Sequence, residues 1–432
     1  MQQKTQLSNG LTVVSERVPE LRSCSLGIWC GAGSRFESEQ HSGLSHFLEH
    51  MFFKGTKSRT AYDIAVTMDS VGGQLNAFTD REHTCYYARV MDRHMPMALD
   101  ILSDMVNHSL FEVEEIEREK GVVLEEIKMY EDTPDDQVFE LFNRAFYQSH
   151  SLGRPIIGYA PRVSQLTRQD LVSYVEQRYH PGNLMIAAAG QLDHDDLVAQ
   201  VEKHFQNARP NTGLPPTSSA PTPQQHQSVY HKACEQTYLC LGAPGIAYVD
   251  PRRYTMLVLD SVLGGCMSSR LFQEIREKRG LVYSVSTIQT ALSDCGTFGV
   301  FAGTSAEKVP EVIKVARDIF ADVGSNGITD EELERAKELL KGALALNLES
   351  TSSRMMRIAR NNLYFGRFLP VEETIEKIDA VSHSQVKELA SWLLDPTRYS
   401  LAALGPVTEV DGIKSQPLPE AYAPSSALRR HR

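Results

Sequence analysis

Two periods alternate along the chain, short runs with every second residue apolar and longer runs with apolar residues three and four apart, and they predict strands and helices respectively. Asn9-Gly10 marks a tight turn, and Leu11 to Val18 alternates as a half-buried strand does, so the chain opens with a hairpin. Ser25 to Trp29 reads as a further strand. Gly31-Ala32-Gly33-Ser34 breaks the pattern, and Gly43 to Phe53 carries a helix with Leu44, Phe47, Leu48 and Met51 as its apolar face. A helix from about Tyr62 to Val71 stops at Gly72-Gly73, a C-cap signal. Leu75 to Thr79 reads as an edge strand, and His83 to Met91 as a strand rich in aromatic and β-branched residues. An acidic helix runs from Glu112 to about Tyr130. A helix around Gln169 to Arg178, a buried-looking strand from Leu184 to Ala189 ending at Gly190, and a helix from Val198 to Phe205 complete the first half.

The segment Asn207 to Gln227 is rich in proline and almost devoid of apolar residues, which makes it a linker. Beyond it the rhythm restarts. A strand from Thr237 to Leu241 leads into Gly242-Ala243-Pro244-Gly245, followed by a helix from about Arg252 to Leu263 and another from Leu271 to Lys278. The expected organisation is therefore residues 1–206, a linker at 207–227, and residues 228–432.

Composition narrows the class. At 432 residues the chain is too long for one ordinary core, and 41% hydrophobic with 23% charged residues describes a soluble globular protein. A net charge of -11 argues against general nucleic-acid binding and favours cationic or neutral partners. Seven cysteines, an odd number without C-x-x-C spacing, indicate neither a disulfide framework nor a thiolate zinc site, so a reducing compartment and a cytoplasmic location are expected. No run of about 18 apolar residues is present to span a membrane.

The candidate chemistry lies in His46-Phe47-Leu48-Glu49-His50. Residues at i and i+4 share a helix face, so His46 and His50 can direct two imidazole nitrogens at one ion. Two imidazoles and a carboxylate from elsewhere leave the fourth position of a tetrahedral zinc open, as catalytic sites do. Glu49, uncoordinated beside them, suits a general base acting on a metal-activated water. His-x-x-Glu-His is the inverzincin order, the reverse of the commoner zinc-peptidase motif. The same spacing also suits two solvated or core histidines on an amphipathic helix.

An internal duplication singles out the missing carboxylate. Glu119 and Glu126 lie two turns apart on the acidic helix, on one face. Glu331-Glu332-Leu333-Glu334-Arg335-Ala336-Lys337 repeats Glu114-Glu115-Ile116-Glu117-Arg118-Glu119-Lys120, with Ala336 in place of Glu119 and Ala343 in place of Glu126. Helix propensity does not explain the contrast, since glutamate and alanine are both good helix formers. Gly153-Arg154 and the strand from Leu184 are matched by Gly366-Arg367 and Tyr399 to Gly405, whereas the second half has no His-x-x-Glu-His.

These features, together with Gly72-Gly73, Asn76-Ala77 and the stretch from Leu263-Gly264-Gly265 through Met267-Ser268-Ser269-Arg270-Leu271-Phe272 to Arg276-Glu277-Lys278-Arg279-Gly280-Leu281-Val282-Tyr283, resemble the pitrilysin, or insulinase, family of zinc peptidases over nearly the whole chain. In size the chain is similar to the single-length bacterial relatives of mitochondrial processing peptidase. The resemblance implies one zinc per chain on His46, His50 and Glu126, with Glu49 as base and Glu119 supporting the site. It implies that Arg276 and Tyr283 donate to the substrate backbone at the scissile bond, where cationic and phenolic donors stabilise an oxyanion. It further implies an α+β fold of duplicated halves, each an antiparallel sheet covered by helices, joined by the linker into a clam-shell. Peptide substrate would bind as an added strand beside Asn76, Ala77 and Phe78, although an ordinary sheet edge explains Leu75 to Thr79 equally well. Cys266 departs from the glycine common in the family. A self-sufficient homodimer acting on basic or neutral extended peptides is expected, the alternative being a non-catalytic or partner-dependent subunit of a processing-peptidase-like assembly.

Overall fold

Gly10, at φ 95°, turns the chain back so that β1 (Gln2–Gln6) and β2 (Thr12–Arg17) pair antiparallel, from Gln2 opposite Glu16 to Gln6 opposite Thr12. The opening hairpin is thus formed at the expected turn. The structure is a computed structural model, and it describes residues 1–210, 218–419 and 422. Residues 211–217 of the expected linker lie outside the described residues.

The first sheet adds β3 (Ser23–Cys30), β4 (Gln74–Thr79), β5 (Thr84–Met91) and β6 (Leu184–Gly190), in the order β1-β2-β6-β3-β5-β4. Every neighbouring pair is antiparallel except β2 and β6, so the sheet is mixed rather than purely antiparallel. Four helices follow in chain order: α1 (Leu44–Met51), α2 (Ala61–Asp69), α3 (Met95–His108) and α4 (Val113–Asp132). Leu26, Ile28, Tyr86, Ala88 and Ile186 form one core with Phe47 and Leu48 of α1, Leu99 and Leu102 of α3, and Ile116 and Val123 of α4.

The other face of this sheet is covered by a helix from far along the chain, Thr351–Phe365, whose Met355, Ile358 and Ala359 pack on Val14, Trp29, Cys85, Met185 and Ala187. Burying each large apolar side chain stabilises by about 1.5–3 kcal/mol, and truncating Met355 to alanine costs about 2–5 kcal/mol. Because that helix is there, β2 is not half-buried as its alternation suggests: Val13, Val14, Ser15 and Glu16 are all buried. Two of the buried polar side chains of this sheet find partners on the covering helix. Arg354 donates to Glu16 at 2.5 Å, and the Ser25 hydroxyl lies 2.9 Å from those of Thr351 and Ser352.

The second sheet comprises β7 (Gln227–His231), β8 (Thr237–Pro244), β9 (Val282–Ala291), β10 (Gly296–Thr304) and β11 (Ser400–Gly405), in the order β7-β11-β8-β10-β9, again with one parallel pair, β7 with β11. Helices Arg253–Leu263, Val309–Asn326 and His383–Leu393 build a core against Leu239, Leu241, Phe298 and Val300. Helix α5 (Pro134–Tyr147) lies on the opposite face, with Phe139 stacked on Phe301 at 4.9 Å and the Tyr147 hydroxyl 2.9 Å from that of Thr297. β8 runs on through Gly242-Ala243-Pro244, three residues beyond the strand expected to end at Leu241. A Cβ at Gly242 would come within 3.1 Å of the Phe142 ring and 3.0 Å of the Phe298 carbonyl, so glycine here serves close approach rather than a turn. The helix expected from Leu271 to Lys278 is present as a π-helix over Phe272–Lys278, a winding that so short an apolar pattern does not specify.

Gln227, the last residue of the expected linker, already belongs to β7; each sheet is built wholly from one side of residues 207–226, yet each compact unit takes a helix from the other side. The first unit comprises Met1–Ile127, Pro155–Ser219 and Ala345–Leu369; the second comprises Lys128–Arg154, Ala220–Leu344 and the described residues from Pro370 on. The two helices exchanged in this way are the covers of the second sheet faces. No helix among the described residues is long and apolar enough to cross a membrane, and all seven cysteines are free.

Candidate metal centre

The centre is assembled in the first unit from α1, α4 and the end of β4. Helix α1 starts at Gly43, whose φ of 93° suits glycine and where a Cβ would lie 2.5 Å from the Ile157 carbonyl oxygen. Glu37 caps it, accepting from the Gly43 and Ser45 N–H groups at 2.8 and 2.7 Å, so a carboxylate meets the positive end of the helix. Leu44, Phe47, Leu48 and Met51 are drawn into the core, which turns His46, Glu49 and His50 to the opposite side. The imidazole rings of His46 and His50 sit with centroids 4.8 Å apart.

Helix α4 buries Ile116, Val123 and Ile127 and presents Glu126 to this pair. Glu126 Oε2 lies 3.8 Å from His46 Nε2 and 3.6 Å from His50 Nε2. One ligand atom from each of the three lies within 4.8 Å of the others. Ligands about 2.0–2.1 Å from a tetrahedral zinc stand about 3.3–3.5 Å apart, so Glu126 Oε2 already lies within a few tenths of an ångström of that spacing from each imidazole Nε2. Two imidazole nitrogens and one carboxylate oxygen also form a donor set that zinc accepts. The Nδ1 of His46 is buried with no hydrogen-bond partner among the described residues.

Around the donors the charges are arranged in a chain. His50 Nδ1 lies 2.8 Å from Glu119 Oε1, and Lys54 Nζ lies 2.6 Å from Glu119 Oε2. An outer carboxylate on the far ring nitrogen of a ligating histidine fixes its orientation and points Nε2 at the ion. Burial pushes the Glu119 carboxyl up, but hydrogen bonds from His50 and Lys54 outweigh it and hold the group below the usual range. Burial, with help from His50, pushes His46 down to about 4, so it is neutral and available as a ligand at ordinary pH. His50 is raised: burial lowers it, but the hydrogen bond and charge of Glu119, then Glu126 and Glu49, prevail.

Glu49 stands outside the triad. Its Oε2 accepts a hydrogen bond from Thr79 Oγ1 at 2.6 Å, and burial raises its carboxyl despite that bond. A carboxylate in this state, beside but not among the donors, is placed to take up and return a proton.

The remaining predicted residues divide between the units. Asn76, Ala77 and Phe78 lie on β4, the edge of the first sheet. Ala77 N–H donates to the Asn76 side chain at 2.8 Å, so this backbone donor is not used by β5. Phe78 points to the other face of the strand and packs edge-on against Trp29 at 5.5 Å. Arg276 and Tyr283 belong to the second unit. Arg276 is part of the π-helix, with its guanidinium 5.4 Å from the Tyr283 ring centroid, and Tyr283 is 76% exposed near the start of β9.

Lys54, Thr79 and Glu37 were not singled out by the sequence. Lys54 lies in the bend after α1, beyond the helix on which spacing carries meaning. The contact of Thr79 with Glu49 depends on how strand and helix pack, which no local pattern encodes.

Comparisons with known proteins agree with one another. A family model described as insulinase (peptidase family M16) matches residues 12–160, and one described as peptidase M16 inactive domain matches residues 165–340. The chain is 42% identical to an uncharacterized zinc protease of Bacillus subtilis, over 92% of this chain and 97% of that one. It is 41% identical to an uncharacterized zinc protease of Streptomyces coelicolor, over 94% and 90%, and 36% identical to one of Rickettsia felis, over 93% and 97%. In fold it is similar to a protease from Helicobacter pylori, with a TM-score of 0.89 at 22% identity, covering 94% of this chain and 99% of that one.

Proposed function

The chain belongs to the insulinase family of peptidases, M16, and from that premise we propose that it is a zinc-dependent endopeptidase acting on extended or unfolded peptides, presequence-like segments among them. The observation that carries this reading is the convergence of His46, His50 and Glu126 with an uncoordinated Glu49 beside them. Zinc, when bound, lowers the pKa of a water to about 7 and polarises the carbonyl to be attacked.

The rest of the work falls to the chain. Glu49 accepts the proton of the attacking water and delivers it to the leaving amine nitrogen. Glu119, itself held by Lys54, keeps the His50 ring turned so that Nε2 faces the ion. The open edge of β4 at Asn76, Ala77 and Phe78 pairs with the substrate backbone, which displaces the Asn76 side chain from the Ala77 N–H. Arg276 and Tyr283 would supply donors to the substrate backbone, a role that the resemblance to the family implies. A chain carrying all of these groups suits a homodimer of self-sufficient copies. Its free cysteines suit the reducing cytoplasm, and its net charge of -11 suits basic or neutral peptides.

The test is cleavage of a quenched basic peptide library before and after removal of metal. The expected outcome is loss of cleavage on chelation and recovery with one equivalent of zinc. Full zinc occupancy without cleavage would instead support the second reading, a binding or partner-dependent subunit.

A further inference from the structure

The general base is held by the same strand that offers its edge to substrate. Residues Leu75, Ala77 and Thr79 share one face of β4, since strand residues two apart point the same way. Leu75 and Ala77 pack against the core that contains α1, and Thr79, last in the strand, meets Glu49 of that helix at 2.6 Å. The carboxylate fixes the direction of this bond, and the neighbouring hydroxyl is the more distant acceptor. Thr84, paired with Thr79 across the sheet, commits its own proton to the Ala32 carbonyl at 2.8 Å. Thr79 lies 3.3 Å from Thr84 Oγ1 and 2.6 Å from Glu49 Oε2, and a carboxylate has no proton to give. Thr79 is therefore the donor and Glu49 the acceptor. One carboxylate oxygen is thereby occupied and the carboxylate plane held, leaving the other oxygen to receive a proton.

We propose that Thr79 is a positioning residue for Glu49, linking the substrate-pairing edge of β4 to the base. The proposal rests on the peptidase reading above for its catalytic consequence, though not for the contact itself. A peptide that pairs along Asn76 to Phe78 orders the strand whose last residue orients Glu49, so pairing away from the scissile bond is felt in the chemical step. Binding energy used in this way raises kcat rather than lowering KM.

Two variants and two readouts test it. Thr79→Val keeps the shape and removes the donor, and Thr79→Ser keeps the donor. With bound zinc and melting temperature unchanged, Thr79→Val is expected to lower kcat by about 10- to 100-fold with little change in KM, and Thr79→Ser to restore most of it. A crystal structure of Thr79→Val is expected to show the Glu49 carboxylate turned from its place. Wild-type kcat in Thr79→Val, a Thr79→Ser variant as slow as Thr79→Val, or an unmoved Glu49 would each overturn the proposal. If the wild-type protein cleaves nothing, the peptidase reading fails on its own, and the position of Glu49 in the Thr79→Val structure still decides the contact.

Discussion

In the first unit, inside the additional edge strand β1, the strands run β2-β6-β3-β5-β4; in the second they run β7-β11-β8-β10-β9, with the parallel pair in the corresponding place. The acidic helices correspond in their packing too. Helix α4 buries Ile116, Glu119 and Lys120, and the helix Asp330–Asn347 buries Leu333, Ala336 and Lys337. Glu119 and Ala336 are both 3% exposed. The same place in the scaffold therefore takes a charged or an apolar side chain, and burying a carboxylate carries a desolvation cost that alanine does not. That cost is met only in the first unit, where His50 and Lys54 hydrogen-bond Glu119. The acids at 119 and 126 are not required by the helix or its packing, which leaves the histidine pair as the reason for them.

The comparison is broken most strongly at Glu126. Glu126→Ala makes the first unit resemble the second, and bound zinc measured by mass spectrometry should fall well below one per chain, with cleavage reduced by about 100-fold or more. The reverse change, Ala343→Glu at an exposed position of the helix Asp330–Asn347, adds a carboxylate without a histidine pair and should bind no second zinc. A second equivalent in that variant would undo the argument from duplication.

A smaller effect is expected at Glu119. Glu119→Ala installs the residue that the second unit already tolerates, so the fold should survive with stability changed by about 1 kcal/mol or less, while zinc affinity weakens by about 10- to 100-fold. Competition with a fluorescent chelator separates the two, and a large fall in melting temperature without a change in affinity would make Glu119 structural. The smallest effects belong to acids that serve only the helix surface. Glu117 pairs with Lys120 at 2.8 Å and Glu334 with Lys337 at 3.4 Å, both glutamates being well exposed. Replacing either by alanine should change stability by no more than about 0.5 kcal/mol in thermal unfolding and leave zinc unchanged.

Much of this was legible because it is periodic or repeated. The spacing of His46, Glu49 and His50 needs only a helix to acquire meaning, and the alanines of the second copy mark Glu119 and Glu126 without any tertiary knowledge. Strand β4 lies at the edge of its sheet, the position considered for Leu75 to Thr79. What was hidden depends on partners far away in the chain. The apolar face of Met355, Ile358 and Ala359 tells that a helix is buried, not that its partner is a sheet formed by the first half. For the same reason β2 was expected to have one wet face and has none. Helices α3 and α5 were also not anticipated. Thr79 went unnoticed because a threonine at a strand end has no signature until the carboxylate opposite it is known.

The central claim is that three donors hold zinc and that Glu49, not among them, moves the proton. It is tested most directly by Glu49→Gln, which removes the base and keeps its size, with cleavage of a quenched peptide and bound zinc measured on the same preparations. About one zinc per chain is expected in both proteins, with a fall in kcat of about 100- to 10,000-fold in the variant. Equal cleavage by the two proteins, or loss of zinc from Glu49→Gln alone, would contradict it.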